Sequence, residues 1–284
     1  MYLISSRKKI TDGKRFSEED RLRYIKGPNT QISVSKDIFL SEVVSQNVLL
    51  IVHGFNNPFR HVVQEYLRLK TRWSHLLENQ YDYILGYTWP AGNSELDYFQ
   101  AKKNTDKAAQ RIRNWLIRLT NANCTIDIMG HSLAAMVGYK TLKREAPIKI
   151  RNVFSFGAAI SKDLLLNKGI PSQLLEKIES FYAFYNRNDS ILKYCFRLIE
   201  WEQALGYAGL SELEEIPKVD SKIHVVDCSE VIYNHTDYTR SLLVSRFLAD
   251  VLEGNTIDQI TILGDYGSPK PVNQRTLTNV ARGN

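Results

Sequence analysis

The stretch Met129-Gly130-His131-Ser132-Leu133-Ala134 decides the fold, because it joins an apolar strand to a helix. Thr125 to Met129 is strand-like, and Leu133 to Leu142 has the apolar spacing of a helix. A sharp turn between them would hold Ser132 Oγ above the edge of a sheet, and small residues two positions before and after it would let strand and helix approach. The helix N-terminus adds a positive field that favours a developing oxyanion. This context predicts a nucleophile elbow.

Two features weigh against that interpretation. The second small residue is Ala134 where glycine is usual, and its methyl group enters a tight contact. Ser132 could also be a simple N-cap of the helix, since serine is favoured there. The elbow and the N-cap interpretations of Ser132 both stay open at this point.

Upstream of the elbow lies a second decisive run, Val48 to Val52, which is apolar throughout. Such runs are typical of strands buried on both faces of a mostly parallel sheet. Strands and helices then alternate along the chain, which predicts a parallel sheet with helices on both faces. The predicted helices are His61 to Leu77, Lys102 to Leu119, Leu133 to Leu142 and Tyr238 to Leu252, and the further strands are Tyr83 to Trp89, Val153 to Phe156, Ile178 to Tyr185 and Ile223 to Cys228. With the elbow, this order predicts an α/β-hydrolase fold.

The domain organisation follows from composition. No linker divides the 284 residues, so we predict one core over residues 47–264. Residues 1–46 are polar, with short alternating stretches at Tyr2 to Ile4 and Ile32 to Val34, and we expect edge strands and loops packed on the sheet. Residues 192–222 are long for one connection and predict a helical insert, whose role as a lid stays open. Residues 265–284 are poor in apolar side chains and predict a loosely held tail.

The loop after Val52 supplies a second chemical signal. His53-Gly54-Phe55 closes the buried strand, and in an α/β-hydrolase this loop provides one oxyanion-hole amide. The amide after the nucleophile provides the other. We therefore predict an oxyanion hole from the N–H groups of Phe55 and Leu133. The alternative is an ordinary glycine turn at the end of a strand.

A serine nucleophile needs a base and an acid, and this fold orders them Ser, acid, His along the chain. His235 lies in a loop after the last predicted strand, so it satisfies the order. Asp189 follows the strand Ile178 to Tyr185 and is the preferred acid, which would hold the tautomer of His235. Asp163 is the second choice, and a turn role for Asp189 is the alternative.

Net charge and cysteine content limit the partners and the cellular compartment that we expect for the protein. The net charge is +6, from 37 Lys and Arg against 31 Asp and Glu, with both signs plentiful. We expect no nucleic-acid partner, although peripheral contact with an anionic membrane is compatible with this charge. Three widely spaced cysteines without a CxxC pair suggest neither a zinc site nor a disulfide framework, which favours a reducing, cytoplasmic compartment. No apolar run approaches the ~20 residues that a membrane span needs.

The motifs together resemble a known family. Val52-His53-Gly54-Phe55-Asn56-Asn57, Thr88-Trp89-Pro90-Ala91-Gly92, the elbow, Tyr185-Asn186-Arg187-Asn188-Asp189 and Asn234-His235-Thr236-Asp237-Tyr238 occur in that order. The set resembles the bacterial α/β-hydrolase family called domain of unknown function 900, within the esterase/lipase group, over about Asn47 to Leu252. The resemblance implies Ser132, Asp189 and His235 as catalytic triad and the Phe55 and Leu133 amides as oxyanion hole. Candidate substrate-pocket residues are His53, Gly54, Asn56, Asn57, Trp89 and His131. The chain departs from the family pattern at Ala134 and at Ala158-Ala159-Ile160, where Ala-Pro-Asp is frequent.

These residues predict a serine hydrolase that cleaves a small-molecule or lipid carboxylic ester through an acyl-enzyme, without metal or organic cofactor. Three alternatives remain. The chain could be a membrane-acting lipase or phospholipase effector, for example in bacterial defence, or a catalytically retired interaction module. The third alternative is a thioester or amide substrate, because the same triad serves all acyl transfer. The sequence identifies no protein partner.

Overall fold

The apolar run predicted as a buried strand forms the strand Asn47–Val52 at the centre of the protein. Its side chains alternate between two cores, with Val48, Leu50 and Val52 on one face of the sheet and Leu49 and Ile51 on the other. This burial on both faces explains why the run contains no polar residue. The computed structural model describes residues 1–165, 172–209, 220–264 and 269–271.

The described residues form one eleven-strand sheet. Its strands are β1 Tyr2–Arg7, β2 Phe16–Gly27, β3 Thr30–Ser33, β4 Asn47–Val52, β5 Tyr83–Thr88, β6 Thr125–His131, β7 Ile150–Phe156, β8 Ile178–Tyr185, β9 Ile223–Asp227, β10 Ile260–Leu263 and β11 Pro269–Pro271. The spatial order is β11-β10-β9-β8-β7-β6-β4-β5-β1-β2-β3. In this spatial order, every pair of neighbouring strands from β10 to β1 is parallel. At the two ends of the sheet, β11 pairs with β10, β2 with β1 and β3 with β2, and these pairs are antiparallel.

Helices cover both faces of the sheet. They are α1 Lys36–Glu42, α2 Phe59–Arg72, α3 Ser74–Gln80, α4 Tyr98–Asn121, α5 Ala134–Lys143, α6 Ser172–Leu175, α7 Arg197–Glu200, α8 Leu205–Ala208 and α9 Leu242–Leu252. Helices α1, α4 and α5 bury their apolar residues in one core, and α2, α3 and α9 bury theirs in the other. The predicted α/β-hydrolase architecture is confirmed.

Two predicted helices are interrupted. The helix predicted from His61 to Leu77 divides into α2 and α3, because Trp73 takes the non-helical angles φ −106° and ψ 22°. Its ring is buried and meets the edge of Phe156. The last predicted helix begins as a 3₁₀ turn, Tyr238–Arg240, and α9 starts afterwards with Ser241 Oγ accepting from the Val244 N–H.

The N-terminal strand differs from its prediction. We expected edge strands before residue 47, but β1 lies inside the sheet between β5 and β2. Its residues Leu3 to Arg7 are buried, and it pairs in parallel with β5. The long strand β2 supplies the antiparallel partner that the sequence pattern did not reveal, because its side chains are mostly polar. In the predicted tail, β11 pairs with β10, and residues 265–268 and 272–284 lie outside the described residues.

The predicted insert is anchored beside the sheet over its described part. It comprises the π-helical turn Ile191–Phe196 followed by α7 and α8, and residues 210–219 lie outside the described ranges. Gly206 in α8 approaches the loop after β7 so closely that a methyl group there would lie 2.2 Å from Ala158 N. The Gly206 carbonyl also accepts a bond from the Asn186 N–H. The first half of the insert is thus a support for the loops after β7 and β8.

A buried acid fixes the strand that precedes the elbow. Asp127 in β6 is fully buried and accepts hydrogen bonds from Tyr81 Oη at 2.6 Å, from the Arg151 guanidinium at 2.6 and 3.0 Å, and from the Asn152 N–H at 2.9 Å. Every oxygen of the carboxylate is satisfied, so this buried charge is tolerated in the interior.

Removing that carboxylate is expected to destabilise the fold. Asp127→Ala leaves the Arg151 charge without its partner and should lower the free energy of unfolding by about 3–5 kcal/mol in urea titration. Asp106→Ala is the matched control, because its carboxylate is exposed and meets Lys140 at the surface. That variant should lose less than about 1 kcal/mol. Equal losses in the two variants would contradict the role assigned to Asp127.

Candidate active site

The site lies at the topological switch point of the sheet. The chain leaves β4 toward β5 on one side and returns through α4 to β6 on the other side of β4. Ligands of open α/β sheets bind in the crevice at such a point, beyond the carboxyl ends of the strands. The loop after β4 contains Gly54 and Phe55, and the residue after β6 is Ser132. The fold therefore brings the two predicted chemical signals to one crevice.

Ser132 adopts the strained backbone expected of an elbow. Its φ is +57°, in the left-handed region that non-glycine residues rarely occupy. Its N–H donates to the Phe156 carbonyl at 2.9 Å, and its own carbonyl accepts from the Ala159 N–H at 3.1 Å. Phe156 ends β7 and Ala159 lies in the loop that follows, and their two bonds hold the turn in place. An ordinary N-cap serine has extended angles, so the geometry favours the elbow interpretation.

Ala134 is accommodated in this elbow. A methyl group built on Gly130 would lie 3.3 Å from the Ala134 Cβ, so the two small residues face each other across the turn. The missing side chain of Gly130 provides the room that the Ala134 methyl group needs. The departure from the usual glycine therefore leaves the elbow conformation intact.

The loop after β4 lies against the elbow. A methyl group on Gly54 would be 2.8 Å from the His131 carbonyl oxygen and 2.9 Å from Ser132 Cβ. The backbone N–H groups of Phe55 and Leu133 have no acceptor within the described part of the chain, although Leu133 is fully buried. The Phe55 amide follows the glycine that contacts Ser132, and the Leu133 amide follows Ser132 itself, so the predicted oxyanion hole has two amides free to donate.

His235 and Asp189 meet in the interior. His235 Nδ1 lies 2.6 Å from Asp189 Oδ2, and both side chains are buried. Asp189 Oδ1 accepts from the Leu192 N–H at 2.9 Å, which fixes the orientation of the carboxylate. Because a carboxylate only accepts, Nδ1 of His235 carries the proton and Nε2 keeps a lone pair for use as a base.

His235 also approaches the elbow. Its ring packs 4.6 Å from the ring of His131, and a methyl group on Gly157 would lie 3.4 Å from His235 Nδ1 and Cε1. Gly157 directly follows the residue whose carbonyl holds the Ser132 N–H. Ser132 Oγ makes no hydrogen bond to the described residues, and in an unliganded site such bonds are often looser than in the substrate complex.

The remaining histidines near the site are poor bases. His131 Nε2 donates to the His235 carbonyl at 2.7 Å, and burial, followed by the neighbouring His235, lowers the pKa of His131 to about 3. This bond braces the backbone of His235. His131, expected in the substrate pocket, thus has a ring nitrogen committed to positioning the base.

Two other pocket candidates prove to be interior residues. Trp89 is fully buried, and its indole N–H donates to the His53 carbonyl at 3.0 Å. His53 is buried beside it, with Nδ1–H donating to the Gly54 carbonyl at 2.8 Å and Nε2 facing the Trp89 N–H and the Thr88 hydroxyl at 3.2 Å. Burial, followed by the Arg7 charge, lowers the pKa of His53 to about 3. The polar atoms of both residues shape the Gly54 loop, and their place in the substrate pocket stays a prediction.

Asn56 and Asn57 belong to the same loop. Asn56 has a φ of +53°, and its N–H donates to the Ala91 carbonyl. Asn57 Nδ2 donates to the Phe55 carbonyl at 3.0 Å. Both residues are half-buried, and these contacts make them part of the turn that orients the Phe55 amide.

Arg7 is a site residue that the sequence did not reveal. It is fully buried at the end of β1, donates from Nε to Thr88 Oγ1 at 2.9 Å and from Nη2 to the Asn57 carbonyl at 2.6 Å, and its Nη2 lies 3.4 Å from His53 Nε2. Burial lowers the pKa of Arg7 to about 10. Its contacts tie the Gly54 loop to β1 and β5. No sequence signal could have found it, because a lone arginine at a strand end has no distinctive pattern.

The second-choice acid does not reach the base. Asp163 lies in the exposed 3₁₀ turn Lys162–Leu165, and its carboxylate makes no contact with His235. No group of three or more His, Cys, Asp or Glu residues in the described ranges is arranged to hold a metal ion. None of the described helices has the length and apolar character that crossing a bilayer requires.

The lowered pKa values of His53 and His131 predict sensitivity to acid. His53 titrates near pH 3 when folded and near 6.5 when unfolded, so the unfolded chain binds the extra proton between those values and stability falls as pH is lowered. Between pH 7 and pH 5 this histidine should remove about 2 kcal/mol of unfolding free energy, and His131 acts with the same sign.

Urea titrations of His53→Gln at pH 7 and pH 5 test this expectation. The variant should lose about 2 kcal/mol less than the wild type over that interval. His75→Gln, which changes an exposed histidine on α3, is the matched control and should keep the wild-type pH dependence. A His53→Gln chain with the wild-type pH dependence would show that His53 is not buried in neutral form.

Gly54 offers a sharp test of the oxyanion geometry. Gly54→Ala places a methyl group against the His131 carbonyl and Ser132 Cβ, which cannot move without displacing the elbow. The Phe55 amide should shift, and loss of one oxyanion donor lowers kcat by about 10²–10³. Gly138→Ala, in an open position of α5, is the control. It should retain kcat in an ester-hydrolysis assay, and wild-type kcat in Gly54→Ala would contradict the proposed hole.

Comparison with known protein families agrees with this fold. Residues 30–247 match the family described as Alpha/beta hydrolase of unknown function (DUF900), and this range contains Phe55, Ser132, Asp189 and His235. No curated protein sequence matches the chain. Since the match covers most of the chain, the protein belongs to the DUF900 family of alpha/beta hydrolases.

Proposed function

We propose that the protein is a serine hydrolase that cleaves carboxylic esters through an acyl-enzyme, with Ser132 as nucleophile, His235 as base and Asp189 as acid. The observation that carries the proposal is the 2.6 Å contact between His235 Nδ1 and Asp189 Oδ2 beside a serine with a φ of +57°. Among the described residues, His235 is the histidine in contact with a carboxylate. Membership of a hydrolase family supports the reaction class.

The first half-reaction acylates the serine. Ser132 Oγ attacks the ester carbonyl carbon while His235 Nε2 takes its proton, and the Asp189 carboxylate stabilises the resulting imidazolium. The carbonyl oxygen becomes an oxyanion, and the amides of Phe55 and Leu133 donate to it. The positive end of α5 adds a favourable field. Collapse of this intermediate breaks the ester C–O bond, and His235 returns the proton to the departing alcohol.

The second half-reaction releases the acid. Water attacks the acyl carbon while His235 Nε2 takes its proton, and the same two amides stabilise the second oxyanion. Collapse frees Ser132 Oγ, which regains a proton from His235. Because the triad and the oxyanion hole are used twice, a single rigid site suffices for both steps.

An activity-based probe tests the proposal directly. A fluorophosphonate should label the folded wild-type protein at one site, and peptide mapping should place the adduct on Ser132. A panel of p-nitrophenyl esters of graded chain length should then show hydrolysis and reveal the preferred acyl group. Folded protein that neither reacts with the probe nor cleaves any ester would refute the proposal.

A further inference from the structure

Large apolar side chains are exposed at the edge of the sheet that carries Ser132. Leu96, Phe99, Leu198 and Trp201, called the apolar rim below, have exposed fractions of 94, 66, 73 and 88%. The first two follow the carboxyl end of β5, and the last two follow the carboxyl end of β8. Single exposed apolar residues are ordinary, but a set at one edge marks an interaction surface.

The two halves of the apolar rim are joined above the elbow. Strands β5 and β8 are separated in the sheet by β4, β6 and β7. Glu200 in α7 nevertheless accepts from Tyr98 Oη at 3.1 Å and pairs with Lys102 Nζ at 2.5 Å. These bonds join a segment that follows β5 to one that follows β8, and β6, the strand that leads to Ser132, lies between those two strands. The apolar rim therefore borders the approach to the candidate active site.

Tyr98 also links the apolar rim to the oxyanion loop. Its ring meets the ring of Phe55 edge-to-face at 5.3 Å and that of Phe99 at 5.9 Å. A surface that engages the apolar rim would thus lie within one side chain of the Phe55 amide. These ring contacts connect the apolar rim to the predicted oxyanion hole, so the rim is not an exposed apolar patch remote from the candidate active site.

Trp201 is presented at a conformational cost. Its φ of +60° lies in the left-handed region, which is unusual for a bulky residue. This conformation ends α7 and leaves the indole 88% exposed. Leu198 precedes it by three residues, as Leu96 precedes Phe99.

A basic loop flanks the apolar rim at the same edge. The turn between β1 and β2 contains Lys8, Lys9, Lys14 and Arg15 with a single acid, Asp12. Its position is fixed, because the Gly13 carbonyl accepts from the Gly92 N–H at 2.8 Å and the Thr11 carbonyl accepts from Asn93 Nδ2 at 3.0 Å. Lys9, Lys14 and Arg15 line a surface depression with Asn93 and Gln100, the residue that follows Phe99. Lys14 pairs with Asp97 and Arg15 with Asp12, whereas Lys8 and Lys9 make no ion pair with the described residues. The pattern joins cationic and apolar groups on one surface.

We propose that the apolar rim and the basic loop 8–15 bind an anionic lipid surface and present the entrance of the site to lipid esters. Apolar side chains enter the acyl boundary while Lys and Arg meet anionic headgroups, which is the physical basis of peripheral binding. The lipid-ester substrate class rests on the proposed ester hydrolysis. Binding to the lipid surface does not depend on it.

Vesicle flotation tests the surface. Wild-type protein should float with vesicles of phosphatidylcholine and phosphatidylglycerol, and binding should weaken about tenfold as salt rises and screens the basic loop. Changing the four rim residues together to serine should reduce the partition coefficient by ~30-fold or more. The matched control, Ile32→Ser with Ile38→Ser and Val44→Ser, alters exposed apolar residues away from this edge and should bind as wild type does. Thermal unfolding checks that both variants are folded.

The charge component has its own variant. Lys8→Glu with Lys9→Glu changes two exposed lysines that form no ion pair with the described residues. It should abolish most of the salt dependence while leaving the apolar contribution. Binding equal to that of the wild type on anionic vesicles would contradict the role of the loop.

Other outcomes separate this inference from the proposed function. Folded wild-type protein that does not float, or a rim variant that floats equally well, overturns the inference. A wild-type dimer that the rim variant converts to a monomer also overturns it, because a second copy then covers the rim. Flotation of a protein that no fluorophosphonate labels supports the surface and refutes the hydrolase, whereas labelling without flotation does the reverse. Release of fatty acid from the vesicles supports both.

Discussion

Ser132→Ala is expected to abolish ester hydrolysis while leaving the protein folded. Removing a triad serine lowers kcat by about 10⁶ where it has been measured, because no other group can form the acyl-enzyme. Ser132 Oγ makes no hydrogen bond to the described residues, so its loss should not disturb the turn, which is held by the Phe156 carbonyl and the Ala159 N–H. Hydrolysis of p-nitrophenyl esters and fluorophosphonate labelling measure the effect, and circular dichroism with thermal unfolding verifies the fold.

Ser155→Ala is the matched control for that experiment. Ser155 lies in the neighbouring strand β7, is buried, and its hydroxyl has no hydrogen-bond partner among the described residues. Replacing it removes a hydroxyl of the same chemistry at no cost in hydrogen bonds, so activity and stability should be retained. Labelling that persists in Ser132→Ala would show that another nucleophile reacts.

Asp189→Asn should lower kcat by about 10⁴, the next largest effect. The carboxylate accepts from the His235 Nδ1–H and from the Leu192 N–H at the same time. An asparagine can accept from only one of them and turns an N–H toward the other. If the amide faces His235, it donates to Nδ1 and moves the histidine proton to Nε2, where it blocks base catalysis. If the amide faces Leu192, two donors oppose each other and the loop is strained.

Asp163→Asn serves as the comparison, since it changes the alternative acid in an exposed turn. Its kcat should equal that of the wild type. Because the loss in Asp189→Asn belongs to the chemical step, kcat should fall while KM changes little. Equal kcat in wild type and Asp189→Asn would remove Asp189 from the mechanism, and a large loss in Asp163→Asn would assign the acid there.

The fold was largely predictable because its signals are local. The apolar run before His53 and the strand-turn-helix context of Ser132 can each be recognised from residues that are neighbours in the chain. The spacing of apolar residues in such a segment predicts both its secondary structure and the side chains that it buries. Strand β2 escaped prediction because its side chains are mostly polar. The break at Trp73 escaped because the helical spacing of apolar residues continues through it.

The candidate site was predictable in part for the same reason. The elbow context selected Ser132, chain order and the ends of predicted strands selected Asp189 and His235, and the structure brings the last two into contact. The burial of the pocket candidates His53 and Trp89 was not foreseen, because a motif shows that residues lie near a loop and not on which side of it. Arg7 was missed, since its contacts with Asn57 and Thr88 join segments distant in sequence.

Short patterns of residue type were enough to predict the class of fold, the elbow and the order of the chemical groups along the chain. The contacts between distant residues, in contrast, are visible only in the folded protein. His235 contacts Asp189, which lies 46 residues earlier in the chain, and the His131 ring donates to the His235 carbonyl. A hydrogen bond between Tyr98 in α4 and Glu200 in α7 brings the exposed apolar side chains near these two helices together. The reason is physical: propensity and periodicity act over a few residues, whereas the contacts of a site form where crossing strands end, and their partners are fixed by the packing of the whole sheet.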